Sequence, residues 1–219
     1  NLRVPMSRVI VITGASAGIG AELARLLGTR GDQVVIAARR EAELQVVAKD
    51  AGDALAVVTD ATKRAEVDHL AARAIERYGR IDAWVNNAGR GISRMPSELR
   101  DEDIDQMMTD NVKSALYGMQ AVLPHFKARG SGHIVNVSSM LGRVPFAPIR
   151  SAYLASKHAL NGLTGALRVE LLQGGFPDIH VSLVSPGVVA TEFGINSLHG
   201  GFDSRNLPGA QPVSEVAAV

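Results

Sequence analysis

The chain has 219 residues, 46% of them hydrophobic, enough to bury one sizeable core. Its 23 lysines and arginines stand against 22 acids, a formal net charge of +1, and the charges are dispersed, which argues against a nucleic-acid partner. The absence of cysteine rules out disulfides and thiolate metal sites and fits a reducing, cytoplasmic compartment.

No apolar run approaches the ~20 residues that span a bilayer, and the N-terminus lacks the three sections of a signal peptide. The six histidines are scattered without ligand spacing, so no metal is expected. No shift in composition marks a linker, so residues 1–219 read as a single domain. Residues 1–5, ahead of Met6, read as a leader foreign to the natural protein.

Taken in order, Arg8 to Ile12 is a short β-branched run of the kind a strand buried on both faces requires. Thr13 to Gly20 follows at once, and then the helical pattern Ala21 to Leu27. Strand, glycine-rich turn and helix in that order form a phosphate cradle, because glycines allow close backbone approach and a helix N-terminus points N–H groups at an anion.

Gln33 to Ala38 is the second strand, followed by Arg39 and Arg40. In dinucleotide folds an acid at this tip binds the 2′-hydroxyl of NAD, and an arginine accommodates the 2′-phosphate of NADP. Ala38 stands where the acid would be, so NADP(H) is expected rather than NAD(H). The third strand, Ala54 to Thr59, ends in Asp60, placed to meet an adenine edge. A helix from Lys63 to Tyr78 leads to a fourth strand, Ile81 to Val85, and to Asn86-Asn87-Ala88-Gly89, whose amides and small residues suit a ligand-lining turn.

Asp101 to Arg129 reads as one long helix, kinked or closing near Pro124, with Asn111 as a polar amide in its middle. A fifth strand, His133 to Val137, delivers Ser138 and Ser139. The helix after it carries Tyr153 and Lys157, four residues apart and therefore on one face. A cation beside a phenol favours the phenolate and lowers a pKa that is otherwise near ~10. Ser138 or Ser139 could hydrogen-bond the same reacting oxygen.

Leu160, Leu163, Leu167 and Leu171 make an apolar stripe on that helix, and Gly174, Gly175 and Pro177 stop it. Between the serines and Tyr153, the residues Met140, Val144, Phe146 and Ile149 offer either an apolar substrate wall or ordinary core. Ile179 to Val184 is the sixth strand, followed by Pro186-Gly187 and Thr191. Residues 190–212, rich in glycine and proline, read as a flexible substrate loop, and Pro212 to Val219 as the first turns of a helix that the natural chain continues.

Strand-like and helical runs thus alternate, the pattern of an α/β fold: a doubly wound parallel sheet of Rossmann type with helices on both faces and ligands at the C-terminal strand ends. Each singled-out motif falls at such an end.

On these motifs the chain resembles the short-chain dehydrogenase/reductase family. Thr13 to Gly20 matches its TGxxxGxG, Asn86 to Gly89 its NNAG, Tyr153 to Lys157 its YxxxK, and Pro186-Gly187 its PG. The resemblance implies a tetrad of Asn111, Ser139, Tyr153 and Lys157. In it Tyr153 is the acid/base, Ser139 polarises the carbonyl, Lys157 lowers the tyrosine pKa and holds the nicotinamide ribose, and Asn111 organises a water.

The implied cofactor contacts are Gly14, Ser16, Ala17, Gly18, Ile19 and Gly20 at the turn, Arg39, Arg40, Asp60 and Ala61 at the adenosine, and Asn87, Ala88, Gly89, Tyr153, Lys157, Pro186, Gly187, Val189 and Thr191 along the nicotinamide half. Implied substrate contacts are Ser139, Met140, Phe146, Tyr153 and Phe193. The Ser139–Tyr153 separation is one residue longer than the commonest family spacing, which leaves Ser138 as a contributor, and the family's last strand is missing.

The expected activity is hydride transfer between NADP(H) and a small-molecule carbonyl or alcohol, in a homodimer or homotetramer. A redox-silent NADP-binding sensor would not need Tyr153, Lys157 and Ser139. Nor would a nucleotide- or S-adenosylmethionine-dependent transferase. An NAD-linked alcohol dehydrogenase is the nearest alternative.

Overall fold

The computed structural model describes residues 7–218, so the reading of residues 1–5 lies outside the described residues. Six strands form one parallel sheet in the order β3-β2-β1-β4-β5-β6. They are β1 (Val9–Thr13), β2 (Gln33–Ala38), β3 (Leu55–Val58), β4 (Ala83–Asn86), β5 (Gly132–Val137) and β6 (Ile179–Val184). The helices between them are α1 (Gly18–Thr29), α2 (Glu41–Asp50), α3 (Arg64–Tyr78), α4 (Asp101–Met108), α5 (Ser114–Arg129) and α6 (Ser151–Gln173), and α7 (Val213–Ala217) packs against α1. None of these helices is long and apolar enough to cross a membrane.

β1 is buried at all five positions, and strand alternation sends its side chains to two cores. Val11 joins Trp84, Phe126 and Leu70 beneath α3, α5 and α6, whereas Ile10 and Ile12 join Leu27, Ile36 and Leu44 beneath α1 and α2. The strand order reverses at β1, which pairs with β2 on one side and β4 on the other, so their C-terminal ends splay and open a crevice.

The expected helix 101–129 is interrupted. Between α4 and α5, Thr109–Lys113 forms a wide π turn that carries Asn111, the kind of bulge frequent at functional sites. Pro124 sits inside α5 without ending it. On α6 the expected stripe is also displaced: Leu163 is exposed, and Thr164 is the buried residue there.

Asn86 faces inward, away from any ligand. Trp84 Nε1 donates to its Oδ1 at 2.8 Å, and its Nδ2 donates to Asn136 Oδ1 at 2.8 Å. Asn136 in turn donates to Thr164 Oγ1 at 2.9 Å. This chain of buried amides ties β4 and β5 to α6, each polar group satisfied by the next.

Candidate active site

The crevice at the strand ends is a cleft of about 730 Å³. At its base Thr13 closes β1: its hydroxyl accepts from the backbone of Asn87 (3.1 Å) and Ala88 (3.2 Å), and the Asn87 amide donates to the carbonyls of Thr13 (3.1 Å) and Gly14 (3.0 Å). Gly14 has φ +67°, and a Cβ there would lie 2.7 Å from Ala88 Cα, so only glycine permits this crossing. Ser16, Ala17, Gly18 and Ile19 line the cleft, whereas Gly20 lies beneath the turn, against the Asn87 amide. No side chain caps α1, and no acid stands in its first turn, so its N-terminal N–H groups are left for an anion.

At the adenosine end expected from sequence, Arg39, Arg40, Asp60 and Ala61 all line the cleft. Arg40 donates to Ser16 Oγ (3.1 Å) and pairs with Glu43 (3.5 Å). Arg39 is exposed and makes no ion pair among the described residues. Burial works to raise the pKa of Asp60, but hydrogen bonds from Thr62 and the charges of Arg39 and Lys63 outweigh it and hold the carboxyl below its usual range.

At the other end, the end of β5 and the face of α6 bring Ser139, Tyr153 and Lys157 together on the wall. The two serines point to opposite sides, as successive extended residues must. Ser138 Oγ donates to Asn161 Oδ1 at 2.6 Å, whereas Ser139 Oγ accepts from Leu141 N at 3.1 Å and is the serine whose hydroxyl works to lower the Tyr153 pKa. Lys157 Nζ donates to Val137 O at 2.9 Å and lies 5.6 Å from the centre of the Tyr153 ring.

The expected lowering of the tyrosine pKa is absent. Burial pushes Tyr153 up to about 12, against the Ser139 hydrogen bond and the charge of Arg150, and burial holds Lys157 down to about 8. The physical reason is desolvation: both ionised forms lose more water on burial than they gain in partners.

Asn111 is buried and does not reach the cleft wall. Its Oδ1 accepts from Arg90 N at 2.8 Å, and its Nδ2 donates to Arg90 O (2.9 Å) and Ser156 Oγ (3.0 Å). It thereby fixes the turn after Gly89 against α6. Ala88 and Gly89, like Asn87, line the cleft, as do Pro186, Gly187, Val189 and Thr191. Thr191 faces the glycine turn, its methyl 3.3 Å from where a Gly18 Cβ would sit.

On the substrate side Met140, Phe146, Ile149 and Phe193 are exposed and line the cleft, so they are not core, whereas Val144 is exposed elsewhere. The 190–212 loop is closed at its base by Val189 pairing with Gln211 and joined at its middle by Leu198 pairing with Ile92. Sequence reading missed Arg150, which donates to Ile92 O (3.2 Å) and Ser197 Oγ (2.9 Å). Nothing in its sequence neighbourhood marks it. It also missed Phe202 and Leu207, which line the cleft. Large apolar residues in a glycine-rich loop that has nowhere to bury them were the available signal.

The class that follows from this architecture is an α/β oxidoreductase of nucleotide-binding fold, since a dinucleotide-type cleft shares its rim with a phenol, a hydroxyl and an amine. The whole sequence makes the family explicit: the chain belongs to the short-chain dehydrogenases, whose family model matches residues 8–199. It is 39% identical over 187 residues to an uncharacterized oxidoreductase of Staphylococcus saprophyticus, covering 84% of this chain and 75% of the relative. With one of Listeria innocua it shares 40% over 190 residues, 85% and 76% of the two chains.

Among solved structures, an alcohol dehydrogenase of Thermococcus sibiricus complexed with 5-hydroxy-NADP superposes with a TM-score of 0.84 at 27% identity, covering 97% of this chain and 88% of that one. A short-chain dehydrogenase/reductase of Burkholderia phymatum in complex with NAD superposes at 0.86 and 28%, covering 97% and 83%.

Proposed function

We propose that this protein is an NADP(H)-dependent oxidoreductase that interconverts a carbonyl and an alcohol, with Tyr153 as its acid/base group. One observation carries the reading: Tyr153, Ser139 and Lys157 meet on the rim of the same cleft that holds the glycine turn and two arginines. The residues fit a dinucleotide. Gly14 leaves room for close approach, α1 offers uncapped N–H groups, and Arg39 has a charge without an ion-pair partner among the described residues.

When bound, the nicotinamide supplies or accepts the hydride. Ser139 and Tyr153 hold the carbonyl oxygen, and Tyr153 gives its proton to the developing alkoxide. A phenol pushed up to about 12 is fully protonated at neutral pH, the form that reduction needs. Lys157, 5.6 Å from the centre of the Tyr153 ring, would hold the nicotinamide ribose beside the phenol.

The second reading, an NAD-linked enzyme, has in its favour that Arg40 is engaged by Ser16 and Glu43. Assembly as a homodimer or homotetramer through α6 belongs to the same proposal, for Leu163, Val169 and Leu172 are exposed there and Gly162 and Gly165 face open space.

The test is absorbance of NADPH and NADH with a panel of aldehydes and ketones. Tyr153→Phe is expected to bind NADPH normally and lose about a thousandfold in turnover, and Arg39→Asp to move preference towards NADH. Undiminished turnover in the first variant overturns the role of Tyr153, and an unmoved cofactor ratio in the second overturns NADP preference.

A further inference from the structure

Beyond Tyr153 the cleft is walled by large apolar side chains that the fold leaves in water. Met140, Phe146 and Ile149 are 37%, 58% and 41% exposed on one wall. Phe193, Phe202 and Leu207 are 38%, 67% and 38% exposed on the other. All six line the cleft, and Phe193 sits edge-on to the Tyr153 ring, 5.5 Å between centres. The apolar surface is therefore continuous with the reacting groups.

Of the charged groups at this end, Glu192 is paired with Arg205 at 3.1 Å, while Arg150 donates to Ile92 O and Ser197 Oγ and Arg90 Nε to Asn196 O at 3.3 Å. A hydrocarbon body entering the cleft would release water from these apolar side chains.

We propose that the substrate is a bulky, apolar carbonyl compound whose hydrocarbon body lies between the 140–149 wall and the 193–207 wall, with its carbonyl oxygen at Tyr153 and Ser139. This rests on the carbonyl-reductase reading above and narrows it to a substrate class. The bulk follows from six large exposed apolar side chains, from two segments of the chain, that line one cleft.

The experiment is NADPH-dependent reduction of butanone, 2-hexanone, 2-octanone and 2-decanone. The inference expects kcat/KM to climb by about fourfold per methylene, the fold-change that corresponds to ~0.8 kcal/mol, until the walls are filled. Phe146→Ser and Phe202→Ser, both at exposed positions, should flatten that climb, losing far more on 2-decanone than on butanone. A flat or falling series, or a keto acid preferred tenfold over the methyl ketone of equal length, overturns the substrate class while leaving the activity standing.

Primary amides of the same lengths, which cannot be reduced this way, separate the two ideas. Their dissociation constants from NADPH-loaded protein should tighten by the same step even if no ketone is turned over, in which case the activity is wrong and the apolar site is right. Amide affinity independent of length overturns the site itself.

Discussion

Lys157 is buried in the wall of the cleft with one hydrogen bond, to the Val137 carbonyl. Its value, held down to about 8 from 10.5, means that at neutral pH the folded protein carries a charge that the unfolded chain would hold more comfortably. The cost is up to ~3 kcal/mol. Replacing it with the isosteric but neutral Met should therefore raise the melting temperature of the cofactor-free protein at pH 7 while abolishing turnover.

The gain should shrink as pH rises through about 8 towards 10.5, because the native lysine sheds its proton first and the penalty disappears. A melting temperature that falls at pH 7, or a difference that ignores pH, would show that the lysine is structural. Tyr153 and Lys157 were legible as a pair from their spacing. Their electrostatics were not, because burial comes from strands and loops far away in the sequence.

Two elements shape the site without appearing in its motifs. The π turn at Thr109–Lys113 turns Asn111 inward, where it grips both backbone polar groups of Arg90. Spacing alone predicts a regular helix there, since one extra residue in a turn leaves no compositional mark. The second element is the 190–212 loop. His199, at φ +60°, reaches Asp103 of α4 at 2.7 Å, and Arg94 pairs with the other carboxylate oxygen at 3.1 Å. That clasp fixes the strand-like contact at Leu198 and with it the wall that bears Phe193.

Asp103→Asn is expected to raise KM for a carbonyl substrate several-fold with a smaller change in kcat, and to speed proteolytic cutting within residues 196–205. An unchanged KM and cleavage rate would mean that the clasp is idle. The His199 hydrogen bond is the main reason that the Asp103 carboxyl titrates below its ordinary range, so its pairing with Arg94 should survive mild acid, about pH 5, and fail only as pH falls through that lowered value. Loop cleavage that accelerates between pH 7 and 5 would contradict this.

At the scale of the molecule, the parallel sheet was readable because strands buried on both faces are continuous apolar runs, and β2 begins and ends where that pattern does. Inside–outside assignments were harder wherever a polar residue is buried by a distant partner. Thr164 displaces Leu163 from the core because Asn136 supplies its hydrogen bond, and Asn86 turns inward for the same reason. No local period records a partner that far along the chain.

The apolar outer face of α6 carries the assembly proposal, and Leu172, 66% exposed, is its most prominent group. Leu172→Glu should halve or quarter the mass seen by light scattering without changing the circular dichroism. A mass already that of one chain in the native protein would refute the assembly.

The position of β1 has a kinetic consequence. Of the six strands described it is made first and lies centrally in the sheet, with its β4 neighbour more than seventy residues later and its first amide held by the Asp82 carboxylate at 2.8 Å. On a ribosome, Val-Ile-Val-Ile-Thr emerges long before its second partner exists, an uncovered strand open to pairing with its own kind. Renaturation from denaturant should therefore be slow and lose yield as concentration rises, and dilution or a holding chaperone should restore it.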